Sequence, residues 1–194
     1  MREIDPSQTF DPELLLRVRG PAAGIRAAIF DVDGVLTDGT IYITAHGETL
    51  KAFSTLDGHG LKLLARGGIE PLIITGRDSP AVRRRIADLG IRHSRYGVAD
   101  KLAAATRLLE ELAIDWAAVA VMGDDWPDLS LLVRAGFACA PPNAHIEVRT
   151  LADHVTVARG GFGAVRECCD LLLMAHGRYA DLLRAELVAA DPTC

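Results

Sequence analysis

The sequence has no apolar run approaching the ~18 residues that a membrane-crossing helix requires, so no segment is expected to span a bilayer. Aromatic residues make up only 5% of a chain that is 49% hydrophobic, which leaves little for a ring-rich core and points to an α/β protein packed from Ala, Leu and Val. Cysteine is scarce. Cys168 and Cys169 are adjacent, Cys139 lies in an apolar run and Cys194 is the last residue, so the four form neither a disulfide framework nor a zinc-ligand spacing. Positive charge is in deficit as well: a net charge of −5 removes any global attraction to nucleic acid, and a site for an anionic substrate must concentrate its cations locally. The first residues carry Asp and Glu without a signal-peptide core, so a cytoplasmic protein is expected. Neither an internal repeat nor a dividing linker is visible, and 194 residues suit one domain with a sizeable core.

What the chain does have is an apolar run from Ile25 to Phe30 that stops at two carboxylates, Asp31 and Asp33. Such a run reads as a buried parallel strand, and the carboxyl ends of strands are where open α/β sheets place their chemistry. Two carboxylates at one strand end repel unless a cation neutralises them, and hard oxygen ligands suit Mg²⁺. The plain alternative is an Asx-rich turn closing the strand.

Upstream, Pro12 to Arg19 fits a short helix capped by Asp11. Downstream, Thr40–Thr44 and Glu48–Phe53 around Ala45-His46-Gly47 read as a hairpin with apolar or aromatic groups on both faces. That flap packs either on its own domain or on another subunit. A helix is expected to open at Asp57-Gly58-His59-Gly60 and stop at Gly67-Gly68. Strands follow at 70–75, 91–94, 119–122, 136–140 and 154–157, alternating with helices that carry Val82, Ile86 and Leu89, then Leu102, Ala105, Leu108, Leu109 and Leu112, then residues 146–151. Arg159 to Gly163 reads as a flexible loop before a helix carrying Val165, Cys168 and Leu172, and Tyr179 to Ala190 as a last helix.

Four strand ends thus carry Asp31/Asp33, Thr75, Lys101 and Asp124/Asp125/Asp128. Singly, Thr75 reads equally as a helix cap, Lys101 as a solvated charge and Asp124-Asp125 as a negative helix start favouring the dipole. Four together at strand ends make coincidence a poor account. The set DxDGVxTDG, TGR, an isolated Lys and GDDxxD resembles the motifs of the haloacid-dehalogenase-type phosphatases. More narrowly, DVDGVLTDG, the flap ending Lys51-Ala52-Phe53, the Asp57-Gly58-x-Gly60 segment and GGxGAVRE resemble the capless 3-deoxy-D-manno-octulosonate 8-phosphate phosphatases.

The resemblance implies a Rossmann-like doubly wound parallel sheet with a β-hairpin flap at about 40–54 and no cap domain, residues 1–24 forming an extension and 25–194 one domain with a helical tail. The gaps of about forty residues from Asp33 to Thr75 and about twenty-five from Thr75 to Lys101 agree, since neither holds a domain. It implies that Asp31 is the nucleophile forming an aspartyl phosphate, Asp33 the general acid then base, and that Thr75 and Lys101 stabilise the phosphoryl oxygens. Mg²⁺ would be held by Asp31, the main-chain carbonyl of Asp33 and Asp124, with Asp125 and Asp128 orienting Lys101 or metal waters. The sugar acid would meet Asp33, Ser54, Thr55, Leu56, Asp57, Gly58, Gly76, Arg77, Arg85 and Lys101, and a homotetramer would cover the open site. Arg85, within Arg83-Arg84-Arg85, reads equally as part of a solvated run. Some relatives carry arginines at the positions of Leu56 and Lys62, so a nine-carbon sugar-acid phosphate stays open as substrate. Two rivals differ in kind. A phosphoryl-storing receiver domain has no use for the second Asp of Asp31-x-Asp33, and a catalytically idle regulatory domain would have lost a motif.

Overall fold

A computed structural model describes residue 22 and residues 24–189. The Pro12–Arg19 helix, the Asp191-Pro192 stop and Cys194 lie outside the described residues. Strand β1, Ala27–Phe30, is buried at every position because it pairs in parallel with a strand on each side: β4 (Glu70–Ile74) and β6 (Val119–Met122). With β5 (His93–Arg95), β7 (Phe137–Ala140) and β8 (His154–Val155) these form a six-stranded parallel sheet in the order β5-β4-β1-β6-β7-β8. Apart from β6, which spans the whole of the expected 119–122, the strands are shorter than the runs that announce them.

Alternate residues of β1 and β6 serve different cores, as the two-residue period of a strand dictates. Ala28, Phe30, Ala120 and Met122 meet α1 (Thr55–Arg66), α2 (Pro80–Leu89), α6 (Ala164–Ala175) and α7 (Tyr179–Ala189) on one face. Ala27, Ile29, Val119 and Val121 meet α3 (Lys101–Leu112), α4 (Leu129–Leu132) and α5 (Ile146–Leu151) on the other. The sheet is doubly wound, as expected. Each expected stripe lies on its own side: Val82 and Ile86 on α2 and Ala105, Leu108 and Leu109 on α3 are buried, while Leu89, Leu102 and Leu112 are partly buried at the edges of the two cores. Cys139, Cys168 and Cys169 are buried and free. Among the described residues no helix is long and apolar enough to cross a membrane.

Helix α1 starts earlier than its glycines suggested. Ser54 caps it, its Oγ accepting from the Asp57 N–H at 3.4 Å, so Asp57 to Gly60 lie inside the first turns. The glycines are packing devices: a Cβ on Gly58 would lie 2.3 Å from Arg85 Nη2, and one on Gly60 3.1 Å from the Arg166 backbone. Between β1 and α1 stands a two-stranded antiparallel hairpin, β2 (Tyr42–Thr44) and β3 (Gly47–Leu50), in place of any cap domain. Its apolar side chains are not folded onto its own sheet: Ile43 is 71% exposed and Leu50 57%. The loop expected to be flexible, Arg159–Gly163, is packed, because the Gly161 N–H donates to Val35 O at 3.0 Å and Gly160 is buried.

Candidate active site

The carboxyl edge of the sheet gathers one ammonium and three carboxylates. Asp31 leaves the end of β1, Lys101 stands in the first turn of α3, and Asp124 and Asp128 come from the loop after β6. Lys101 Nζ donates to Asp128 Oδ1 at 2.7 Å and lies 2.9 Å from Asp31 Oδ1. That second contact is a close ion pair bent out of hydrogen-bond alignment, and among the described residues the buried Asp31 Oδ1 has no hydrogen-bond donor beyond that ammonium. Asp128 Oδ2 accepts from the Asp124 N–H at 3.2 Å and the Asp125 N–H at 3.4 Å. Asp31, Asp124 and Asp128 each present an oxygen within 4.8 Å of the others.

Close approach is built in by glycine. Gly34 has φ +88°, and a Cβ there would lie 2.0 Å from Asp124 Oδ2. The crowding has an electrostatic cost. Burial, and then the charge of Asp128, push Asp31 up to about 6 against the pull of Lys101. Burial, Asp31 and Asp128 push Asp124 up to about 8. For Lys101, burial works against the charge but Asp31 and Asp128 outweigh it and hold the ammonium above its ordinary value. Three carboxylates whose oxygens crowd one point around a single ammonium, and which resist full ionisation, fit a divalent cation of the Mg²⁺ kind.

Asp33, two residues beyond Asp31, faces the flap. Lys51, its side chain fully buried, pairs with Asp33 Oδ1 and lies 3.2 Å from Glu48 Oε1. Arg77 Nη2 donates to Glu48 Oε2 at 3.0 Å, and its Nε lies 3.8 Å from Asp33 Oδ2. Burial raises Glu48, but hydrogen bonds from Arg77 and Lys51 prevail and bring it below the usual carboxylate range. Lys51 is the residue that sequence reasoning missed. The Lys51-Ala52-Phe53 end of the flap carried part of the resemblance without giving Lys51 a role, and the other signal was a lysine three residues after Glu48 in an otherwise apolar or uncharged flap strand.

A cleft of about 390 Å³ opens between the two groups, and Asp31, Asp33, Thr75, Gly76, Arg77, Lys101, Asp124, Asp125 and Asp128 all line it. Thr75 is 1% exposed, and its hydroxyl oxygen accepts from the Arg77 N–H at 3.3 Å, leaving the hydroxyl proton for a group in the cleft. Other expected contacts are spent elsewhere. Asp57 is buried and accepts from the N–H groups of Gly163 and Arg166, so it caps α6 rather than facing the cleft. Arg85 donates to Ser54 O at 3.1 Å beside the Phe53 ring and packs on Gly58, which ties the flap base to α2. Thr55 and Leu56 are exposed outside the cleft lining. Arg83 and Arg84 do form a solvated run, in exposed pairs with Asp78 and Asp88 and with Arg83 over the Tyr96 ring, and Arg85 alone of the three turns inward. Of the two residues expected to orient Lys101 or metal waters, Asp128 touches Lys101 and Asp125 is exposed at the rim.

Residues 96–160 match the family model of haloacid dehalogenase-like hydrolases. The 3-deoxy-D-manno-octulosonate 8-phosphate phosphatase of Escherichia coli (strain B / BL21-DE3) is 47% identical over 161 residues, 83% of this chain and 86% of that protein. The Haemophilus influenzae protein of the same name is 42% identical over 154 residues, 79% of this chain and 86% of its own length. A crystal structure of the Moraxella catarrhalis phosphatase, in complex with magnesium ion, phosphate ion and a KDO molecule, matches the fold with a TM-score of 0.84 and 40% identity, covering 87% of this chain and 97% of that one.

Proposed function

This chain belongs to the 3-deoxy-D-manno-octulosonate 8-phosphate phosphatases among the haloacid dehalogenase-like hydrolases, and from that membership we propose that it hydrolyses 3-deoxy-D-manno-octulosonate 8-phosphate to the free sugar acid and phosphate, in lipopolysaccharide biosynthesis. The observation that carries the proposal is the divergence of the β1 carboxylates: Asp31 turns into the Lys101 cluster while Asp33 turns toward the flap and Arg77. That divergence supports Asp31 as the group that meets phosphorus and Asp33 as the group that meets the leaving oxygen.

Asp31 attacks phosphorus and forms an aspartyl phosphate, so one hard displacement becomes two easier ones. Asp33 protonates the departing sugar oxygen, then takes a proton from the water that opens the aspartyl phosphate. Lys101, with Asp128 fixing its ammonium, and the Thr75 hydroxyl meet the charge that develops on the phosphoryl oxygens. Mg²⁺, when held by Asp31, Asp124 and the Asp33 main-chain carbonyl, neutralises and orients those oxygens. Arg77, 46% exposed at the rim, suits the sugar-acid carboxylate because its planar fork can engage both oxygens.

The exposed apolar residues of the hairpin support a homotetramer whose neighbouring flaps cover the cleft. Sedimentation of a monomer at assay concentration would reject it. A cytoplasmic location completes the reading, and recovery of the protein outside the cytoplasmic fraction would remove it.

The test of the activity is Mg²⁺-dependent phosphate release from the eight-carbon acid phosphate, a nine-carbon analogue, common hexose phosphates and p-nitrophenyl phosphate, with EDTA controls. A strong preference for the eight-carbon acid is expected. Broad weak release would keep the phosphatase and discard the substrate, and no release from any of them would turn the reading to an idle domain.

A further inference from the structure

The turn that carries Asp33 is only partly held by its own residues. Thr37 Oγ1 donates to Val32 O at 3.3 Å and accepts from the N–H groups of Gly34 at 3.4 Å and Gly39 at 3.2 Å. Two distant segments then reach the same turn. From beyond β7, Asn143 Nδ2 donates to Gly34 O at 3.0 Å. From beyond β8, the Gly161 N–H donates to Val35 O at 3.0 Å and the Gly160 N–H donates to Asn143 Oδ1 at 2.8 Å. Both ends of the Asn143 carboxamide are therefore engaged. Two residues on, the His145 N–H donates to Asp124 O at 2.8 Å. The segment from Pro141 to His145 thus grips the backbone of the Asp33 turn and the backbone of Asp124.

The grip has little slack. A Cβ on Gly160 would lie 1.8 Å from Gly34 O, and one on Gly161, at φ +75°, would lie 2.6 Å from the Asp38 nitrogen. Here backbone rests on backbone, with no flexible side chain to absorb a shift. We propose that Asn143 is a positioning residue whose carboxamide sets the Gly34 carbonyl, and with it the Asp33 turn, relative to the Asp124 loop. The kinetic part of this inference rests on the phosphatase reading; the geometric part does not. Only a carboxamide of this length both donates to Gly34 O and accepts from Gly160. An aspartate would keep the second contact and set an acceptor against the first.

The test compares Asn143→Ala, Asn143→Asp and Asn143→Ser with wild type in the full chain, reading turnover of p-nitrophenyl phosphate and the Mg²⁺ concentration at half-maximal thermal shift. All three should lose about 10- to 100-fold in kcat with KM little changed, and need about tenfold more Mg²⁺, the usual scale for groups that orient metal ligands. Asn143→Asp should be as impaired as Asn143→Ala, because the Gly34 arm carries the effect. Circular dichroism and metal-free melting should stay near wild type. The assignment is overturned by kcat and Mg²⁺ midpoints within about twofold of wild type, or by loss of the fold in all three variants, which would make Asn143 structural. If wild type released no phosphate from any substrate, the proposed function would fall while the Mg²⁺ midpoints still decided the role of Asn143.

Discussion

Asp31 and Asp33 leave the same strand and enter different surroundings. Asp31 is 7% exposed in a cluster whose partners all come from the sheet edge and its helices. Asp33 is held by Lys51 and Arg77, and Lys51 belongs to a hairpin whose apolar side chains are mostly outside any core. On the proposed function, the phosphoryl side is the ion-paired cluster at the sheet edge, while the leaving-group side depends on a buried Lys51 reached from the flap and on the half-exposed Arg77.

The sharpest way to break that comparison is to neutralise each side in turn. Asp31→Asn should cut kcat by on the order of 10⁴-fold or more and abolish the phosphoenzyme. Its fold should survive, since a buried charge repelled by Asp128 is removed. Acid-quench trapping and circular dichroism check both parts, and near-wild-type turnover would sink the nucleophile. Lys51→Met on the flap should cost less, about 10- to 100-fold in kcat on the sugar phosphate. It should cost distinctly less on p-nitrophenyl phosphate, whose leaving group needs little help from an acid. Equal losses on both substrates would show that Lys51 does not act through Asp33.

A smaller effect separates the two sides by pH. The metal-free folded chain holds protons on Asp31 up to about 6 and on Asp124 up to about 8, which unfolded carboxylates release near 4. The folded state therefore binds more protons across that window, and its stability falls as pH rises from about 4 to about 8. Mg²⁺ displaces those protons, so its thermal shift should be larger at pH 8 than at pH 5.5. Melting curves with EDTA and with Mg²⁺ test this. A metal-free melting temperature that rises across the window would contradict it.

Legibility in the sequence followed the same division. Asp31, Thr75 and the Asp124–Asp128 loop each follow an apolar strand, and Lys101 opens a helix with an apolar stripe, so local pattern is enough to bring them to one edge. Lys51 carries no such marker, since its burial depends on where the whole hairpin leans. Asp57 reads as a helix opener near the flap, yet it caps a helix more than a hundred residues away in the chain. Gly160 and Gly161 suggest mobility by composition, and only the turn they rest on reveals a contact. What the sequence withheld are long-range pairings of polar groups, which have no period.

The two edges of the sheet, β5 and β8, are three and two residues long. An incoming strand would find only a few unpaired backbone groups at either edge, so the sheet is a poor template for its own extension. Copies that meet are therefore not expected to join through the six-stranded sheet, and the hairpin, with four exposed apolar side chains, is one surface where they can meet. The same economy of edge lets such a protein be crowded with its copies without its sheets fusing into one.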